Sequence, residues 1–154
     1  LLSRGLGDVY KRQIMSKAAV VYWSGTGNTE AMAQAVESGA KAAGADVSLF
    51  TAAEFTPQLL QEYDSVAFGC PAMGAEELEE TEFEPMFAEC EAGLSGKKVA
   101  LFGSYGWGDG EWMRAWEERC SSCGAALAAE SVICNAAPDE SAVEECEALG
   151  RALA

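Results

Sequence analysis

The chain is predicted to fold as one α/β domain: a five-stranded parallel sheet with helices on both faces. Three observations lead there. Short apolar, β-rich runs alternate with amphipathic runs along nearly the whole chain, the pattern of strand–helix–strand units. The strand-like runs are continuously apolar rather than alternating, as strands buried on both faces must be. The connections that follow several of them are rich in Gly, Ser and Thr, and such sheets bind ligands beyond the carboxyl ends of their strands.

Residues 18–23, Ala-Ala-Val-Val-Tyr-Trp, make the first strand. Residues 30–43 make the first helix, with Met32, Ala33, Val36 and Ala40 on one face at helical spacing. Residues 46–51 read as the second strand, 57–62 as a short helical turn and 65–69 as the third strand. An acidic stretch leads into a helix near 83–92. The fourth strand, 97–103, is apolar on both faces through Val99, Ala100, Leu101 and Phe102. Residues 112–123 are helical, and Trp112 and Trp116, four apart, read as packing residues. Residues 131–134 form a short fifth strand, and a closing helix, 141–154, follows Pro138-Asp139. The 154 residues suffice for one domain around one core, and right-handed crossovers leave few topologies.

Composition narrows the function. The chain carries 25 acidic and 10 basic residues, a net charge of −15, and no His. So negative a surface argues against nucleic acid or an anionic membrane as partner and suits basic proteins. Without His there is no Ser–His or Cys–His couple and no imidazole proton shuttle, which disfavours hydrolases and zinc enzymes. No run reaches the roughly 18 apolar residues of a membrane span.

The cysteines, Cys70, Cys90, Cys120, Cys123, Cys134 and Cys146, are scattered, as reduced, partly buried intracellular thiols are. Cys120-Ser121-Ser122-Cys123 is a C-x-x-C, but it lies at the end of a helix-like run, and the second pair that zinc requires is missing. These read as ordinary thiols. Residues 1–14 lack a signal-peptide core. They carry Arg4, Lys11 and Arg12 against Asp8, a net +2, and leave −17 on the remainder. They resemble translated adaptor sequence and are expected to be a non-native tail, with residues 15–154 as the domain.

The most informative motif is Ser24-Gly25-Thr26-Gly27-Asn28-Thr29, between the first strand and the first helix. Backbone N–H groups at a helix start, aided by the helix dipole, bind anions, and the hydroxyls add neutral donors. The loop has no Lys or Arg, so it is not a P-loop. It has two glycines where a dinucleotide fingerprint has three. What remains is a cup for one phosphate monoester, or a Gly/Ser/Thr turn with no ligand. Two further loops lie at the same edge, residues 70–77 and 104–111. Alone, Met73 could be a core gap-filler and Trp107 a core or interface aromatic. The acid run Glu76, Glu77, Glu79, Glu80, Glu82 and Glu84 lacks the Asp/Asn-Gly alternation of a calcium loop and reads as a solvated helix N-terminus.

Together these stretches resemble a flavodoxin of the short-chain clostridial type. The resemblance rests on residues 21–30, Ala72-Met73-Gly74, Glu82-Phe83-Glu84-Pro85 and residues 96–110. It implies the strand order 2-1-3-4-5, for which flavodoxins are themselves the standard example, with flavin mononucleotide (FMN) at the switch point. It implies a low-potential one-electron carrier, not an enzyme, that cycles chiefly between semiquinone and hydroquinone. The phosphate would be held by Ser24, Gly25, Thr26, Gly27, Asn28 and Thr29. Pro71, Ala72, Met73, Gly74, Ala75 and Glu76 would wrap the isoalloxazine edge, with Glu76 accepting from N3–H. Ser104, Tyr105, Gly106, Trp107, Gly108, Asp109 and Gly110 would cover the other side, with the Trp107 indole stacked on the ring. Pro71 stands where relatives carry a small hydroxyl residue, and Ala75 where an acid is usual. The implied setting is a cytoplasmic monomer serving redox enzymes with basic faces. An FMN-dependent NAD(P)H or quinone reductase, or a flavin-free interaction module, are the alternatives on this fold. The first lacks an insertion large enough for an organic substrate.

Overall fold

The computed structural model describes residues 16–74 and 76–154. The tail expected at 1–14 and the flavin-edge residue Ala75 lie outside the described residues. The strands are β1 (Lys17–Tyr22), β2 (Asp46–Thr51), β3 (Ser65–Gly69), β4 (Lys98–Tyr105), β5 (Ala126–Leu127) and β6 (Val132–Asn135). The helices are α1 (Asn28–Ala42), α2 (Pro57–Leu60), α3 (Phe83–Cys90), α4 (Glu111–Ser122) and α5 (Glu140–Leu153). All named strand pairs are parallel, in the order β2-β1-β3-β4-β5, with β6 also on β4. Among the described residues the sheet therefore has six strands rather than the expected five, in the expected order. β5 pairs with Lys98 and Val99, and β6 with Phe102 to Tyr105. Two short segments thus share one edge position. The first, Ala-Leu, is too short to register as a strand in sequence.

Parallel pairing demands cover on both faces, and the side chains divide accordingly. Ala19, Val21, Val66, Phe68, Val99 and Leu101 point to one core, which takes Phe83 and Phe87 of α3 and Trp112 and Trp116 of α4. Ala18, Val20, Tyr22, Ala67, Ala100 and Phe102 point to the other, which takes Met32, Ala33 and Val36 of α1 and Cys146, Leu149 and Leu153 of α5. This alternation between two apolar layers is why the strands read as unbroken hydrophobic runs. In the first core Phe68 meets Phe87 edge-on at 5.1 Å, and Trp116 meets Phe83 at 5.4 Å, both favourable aromatic geometries. Arg119 of α4 ties the far end of this layer, with Nη1 2.8 Å from a Glu84 oxygen and Nη2 2.6 Å from Glu91.

All six cysteines are free. Burial pushes the thiols of Cys120 and Cys146 up to about 12 and that of Cys90 up to about 11. Such thiols carry little thiolate and react poorly. Cys123 Sγ only donates to the Cys120 carbonyl, at 3.2 Å, in keeping with the reading as ordinary thiols.

On the α1/α5 face the backbones come unusually close. A Cβ on Gly39 would lie 2.0 Å from the Glu147 carbonyl oxygen, and one on Gly150 would lie 2.1 Å from that of Val36. Both glycines lie within helices, where Ala would be favoured by roughly 1 kcal/mol. The close approach overrides that preference. Gly39→Ala is expected to lower stability by about 1–3 kcal/mol, the usual cost of overpacking, read as a reduced urea midpoint. An unchanged or higher midpoint would show that the helices separate freely.

Candidate functional site

Three loops meet at the carboxyl edge of β1, β3 and β4. The ladder runs past the strand ends into them: Trp23 N–H donates to the Gly69 carbonyl at 3.0 Å, Cys70 N–H to Phe102 at 3.1 Å and Ala72 N–H to Ser104 at 3.0 Å. The loops are therefore fixed by sheet hydrogen bonds before any ligand is considered.

The first loop turns through Gly27, whose φ of 93° is left-handed, into α1. Gly makes that angle inexpensive. Ser24 Oγ accepts from Gly27 N–H at 3.0 Å, which leaves the hydroxyl proton free to donate. No side chain caps the first turn of α1, so its N–H groups remain open for an anion. Thr29 is buried, and its hydroxyl lies 3.1 Å from that of Ser104. That bond clips the first loop to the end of β4. Tyr22 donates its hydroxyl to Glu30 at 3.0 Å. Burial, then this carboxylate partner, hold the phenol above its ordinary range.

The second loop folds back on itself. Met73 and Glu77 exchange two backbone hydrogen bonds, each 2.8 Å, around Gly74, which has a left-handed φ of 51°. The third loop passes close to the second: Asp109 N–H donates to Glu76 Oε1 at 3.0 Å. Gly108 suits the approach, since its φ of 86° is left-handed. Glu76, Asp109 and Glu111 bring carboxylate oxygens within 4.8 Å of one another, and Arg114 Nη2, 3.1 Å from Asp109 Oδ1, offsets one of these charges, so this rim is net negative. Trp107 stands 58% exposed.

Between the loops lies a cleft of about 390 Å³. Gly25, Thr26, Asn28, Pro71, Ala72, Met73, Ser104, Tyr105 and Gly106, all singled out from sequence, line it. Ser24 and Gly27 open instead on a neighbouring hollow with Tyr22, Trp23, Glu30, Thr51 and Glu82. Thr29, Gly74, Glu76, Trp107, Gly108, Asp109 and Gly110 do not line the cleft; of these, Thr29, Glu76, Gly108 and Asp109 hold its walls through the contacts above. Sequence reasoning missed Trp23 and Ala136, which also line the cleft. Ala136 has φ 59° and donates to the Tyr105 carbonyl at 2.8 Å. Its signal was its place just past the fifth strand, at the same edge as the other loops. The acid run holds a second surprise. Glu79 is not solvated but 4% exposed, and its carboxylate accepts from the N–H groups of Thr81, Glu82 and Phe83 at 2.8 to 2.9 Å. Although burial opposes its charge, these bonds and the Thr81 hydroxyl hold the carboxyl below its usual range.

The cleft joins an apolar, partly aromatic slot to a helix start whose loop offers N–H and hydroxyl donors and no Lys or Arg. That donor set fits a flat redox cofactor carrying a single phosphate, and with the parallel sheet it defines a mononucleotide-binding carrier of the doubly wound class. Comparison with known proteins agrees. The family model described as Flavodoxin matches residues 20–150. The flavodoxin of Megasphaera elsdenii is 49% identical over 135 residues, 88% of this chain and 96% of that one. That of Clostridium beijerinckii is 47% identical, over 88% and 97%. The solution structure of two-electron reduced Megasphaera elsdenii flavodoxin superposes with a TM-score of 0.82 at 48% identity, covering 88% of this chain and 97% of that one. The chain belongs to the flavodoxin family: it is an FMN-binding electron carrier that works with redox partners, not an enzyme. The reductase and interaction-module alternatives are not favoured.

Thr29→Ala removes the clip between the first loop and β4 and leaves the buried Ser104 hydroxyl unpaired. FMN binding is expected to weaken by about 1–3 kcal/mol, the cost of one such orphan, with riboflavin affected much less. Titration of the flavin-free protein with each ligand checks this; equal losses for both would detach Thr29 from the phosphate end.

Proposed function

We propose that this chain is a low-potential one-electron carrier in which each of the three loops holds a distinct part of FMN. The observation that carries the proposal is their convergence on one cleft, with a helix start free of Lys and Arg at one end. Residues 24–29 would bind the phosphate through N–H and hydroxyl donors. Residues 71–76 would wrap the ring edge, with Met73 against its face and Glu76 oriented by the Asp109 amide. Residues 104–110 would flank the other side, with the exposed Trp107 indole available to stack. FMN, when bound, supplies the one-electron chemistry, and the protein supplies orientation and field. No Lys or Arg occurs within residues 24–29, 70–77 or 104–111. Extra negative charge on the cofactor is therefore disfavoured by nearby carboxylates, which supports a low second potential.

Anaerobic reductive titration, with mass spectrometry of the released flavin, tests this reading. One FMN per chain and two resolved one-electron potentials are expected. Release of mainly FAD, or steady NAD(P)H oxidation by the protein alone, would overturn it.

The partners would present basic faces, and the carrier would act as a monomer in the cytoplasm. The net charge of −15 supports the first, and the free cysteines the last. Among the described residues no helix is long and apolar enough to cross a membrane. Electrostatic docking predicts that electron transfer to a basic reductase slows as ionic strength rises and the Debye length falls below about 10 Å. Stopped-flow rates that stay flat or rise with salt would exclude it.

A further inference from the structure

Among the described residues, Glu79 is the one charged side chain that is buried. It sits two residues beyond the Met73–Glu77 bridge, and every polar group it has is used. Its N–H donates to Cys70 Sγ at 3.3 Å, at the start of the same loop. Its carbonyl accepts from Glu84 N–H at 2.8 Å. Its carboxylate takes the Thr81 hydroxyl and the amides of Thr81, Glu82 and Phe83, at the entry to α3. No cation is among these partners. A carboxylate so held stays charged through hydrogen bonds alone.

The turn it anchors is closed by the Met73–Glu77 bridge and tied to the third loop through Glu76. A Cβ on Gly74 would meet nothing within 4 Å. A cavity of about 310 Å³ separates the tip from its base, with Met73, Gly74 and Glu77 on one side and Glu79, Glu80 and Thr81 on the other. Trp112 Nε1–H, donating to the Cys70 carbonyl at 3.1 Å, fixes the incoming strand end, and Glu79 fixes the outgoing one. The loop between them is closed on itself by the Cys70 thiol.

We propose that Glu79 is a positioning residue for the Met73–Glu77 turn: its buried carboxylate fixes the base on which Met73 is presented to the cleft, and so sets the protein's more negative one-electron potential. This rests on the FMN reading above for its redox part only. The carboxylate contributes in two ways. It holds the turn in register with the cleft, and it adds a negative charge, kept ionised by its hydrogen bonds, beside the base of the turn.

Hydrogen exchange by NMR on the full chain, with FMN bound and after its removal, tests the positioning. Glu79→Gln keeps the size of the side chain but loses the charge and turns one acceptor into a donor facing N–H groups. The Met73 and Glu77 amides are expected to exchange roughly ten- to a hundredfold faster, the equivalent of one charged hydrogen bond. The amides of Val20 and Ala100 in the sheet core should be unchanged. Glu80→Gln removes an equal but exposed charge one residue away and should leave all four amides unchanged. In the FMN-bound protein, Glu79→Gln should raise the more negative potential further than Glu80→Gln does. No acceleration at Met73 and Glu77, equal acceleration at Val20 and Ala100, or equal potential shifts in the two variants would each overturn the proposal. The flavin-free measurement decides the positioning by itself, so a failure to bind FMN would overturn the functional reading separately.

Discussion

The ligand end of this protein depends on one device: the backbone ladder of the parallel sheet does not stop where the strands stop. β1, β3 and β4 are paired in register up to Tyr22, Gly69 and Phe102. The next amides along, those of Trp23, Cys70 and Ala72, continue the same bonds into the loops. A parallel sheet brings the carboxyl ends of neighbouring strands to one edge. Continuing the ladder beyond that edge gives the connections the rigidity of the sheet. Irregular segments can then hold a ligand without a cation or a metal to organise them.

That rigidity explains why backbone angles uncommon for side chains collect here. Gly27, Gly74, Gly108 and Gly110 have positive φ, and so do Glu76 and Ala136. The last two lack the freedom of glycine and incur local strain. The surrounding bonds hold them: Glu76 through its contact with the Asp109 amide, and Ala136 through its bond to Tyr105. Strain of this kind persists where several contacts over-determine one conformation.

Much of the fold was legible because its cause is local. Each internal strand alternates between two apolar cores, and each long helix has one apolar face, so periodicity and hydrophobic runs place them to within a few residues. The Gly/Ser/Thr loop was legible for the same reason, since it joins a strand to a helix start. Most of the rest depends on contacts distant in sequence. β5 is two residues long and exists because Lys98 and Val99 pair with it. Ala136 lines the cleft because its fixed turn places it beside Tyr105. Glu79 looks like its five acidic neighbours in the run, and nothing local marks it as the one that turns inward. The amides and hydroxyl that its carboxylate accepts from lie only two to four residues on, at the entry to α3, a local pairing that the uniform acidic run hides.

The broken edge of the sheet has a consequence of its own. An unbroken outer strand would offer a continuous row of backbone donors and acceptors to any passing chain. Here the last position is filled by two residues, then an interruption, then four more. Neither piece is long enough to template a stack, and Glu130 lies in the gap. The interruption therefore leaves that edge of the sheet without a continuous row of free backbone groups, in contrast to the opposite edge, where β2 runs unbroken for six residues.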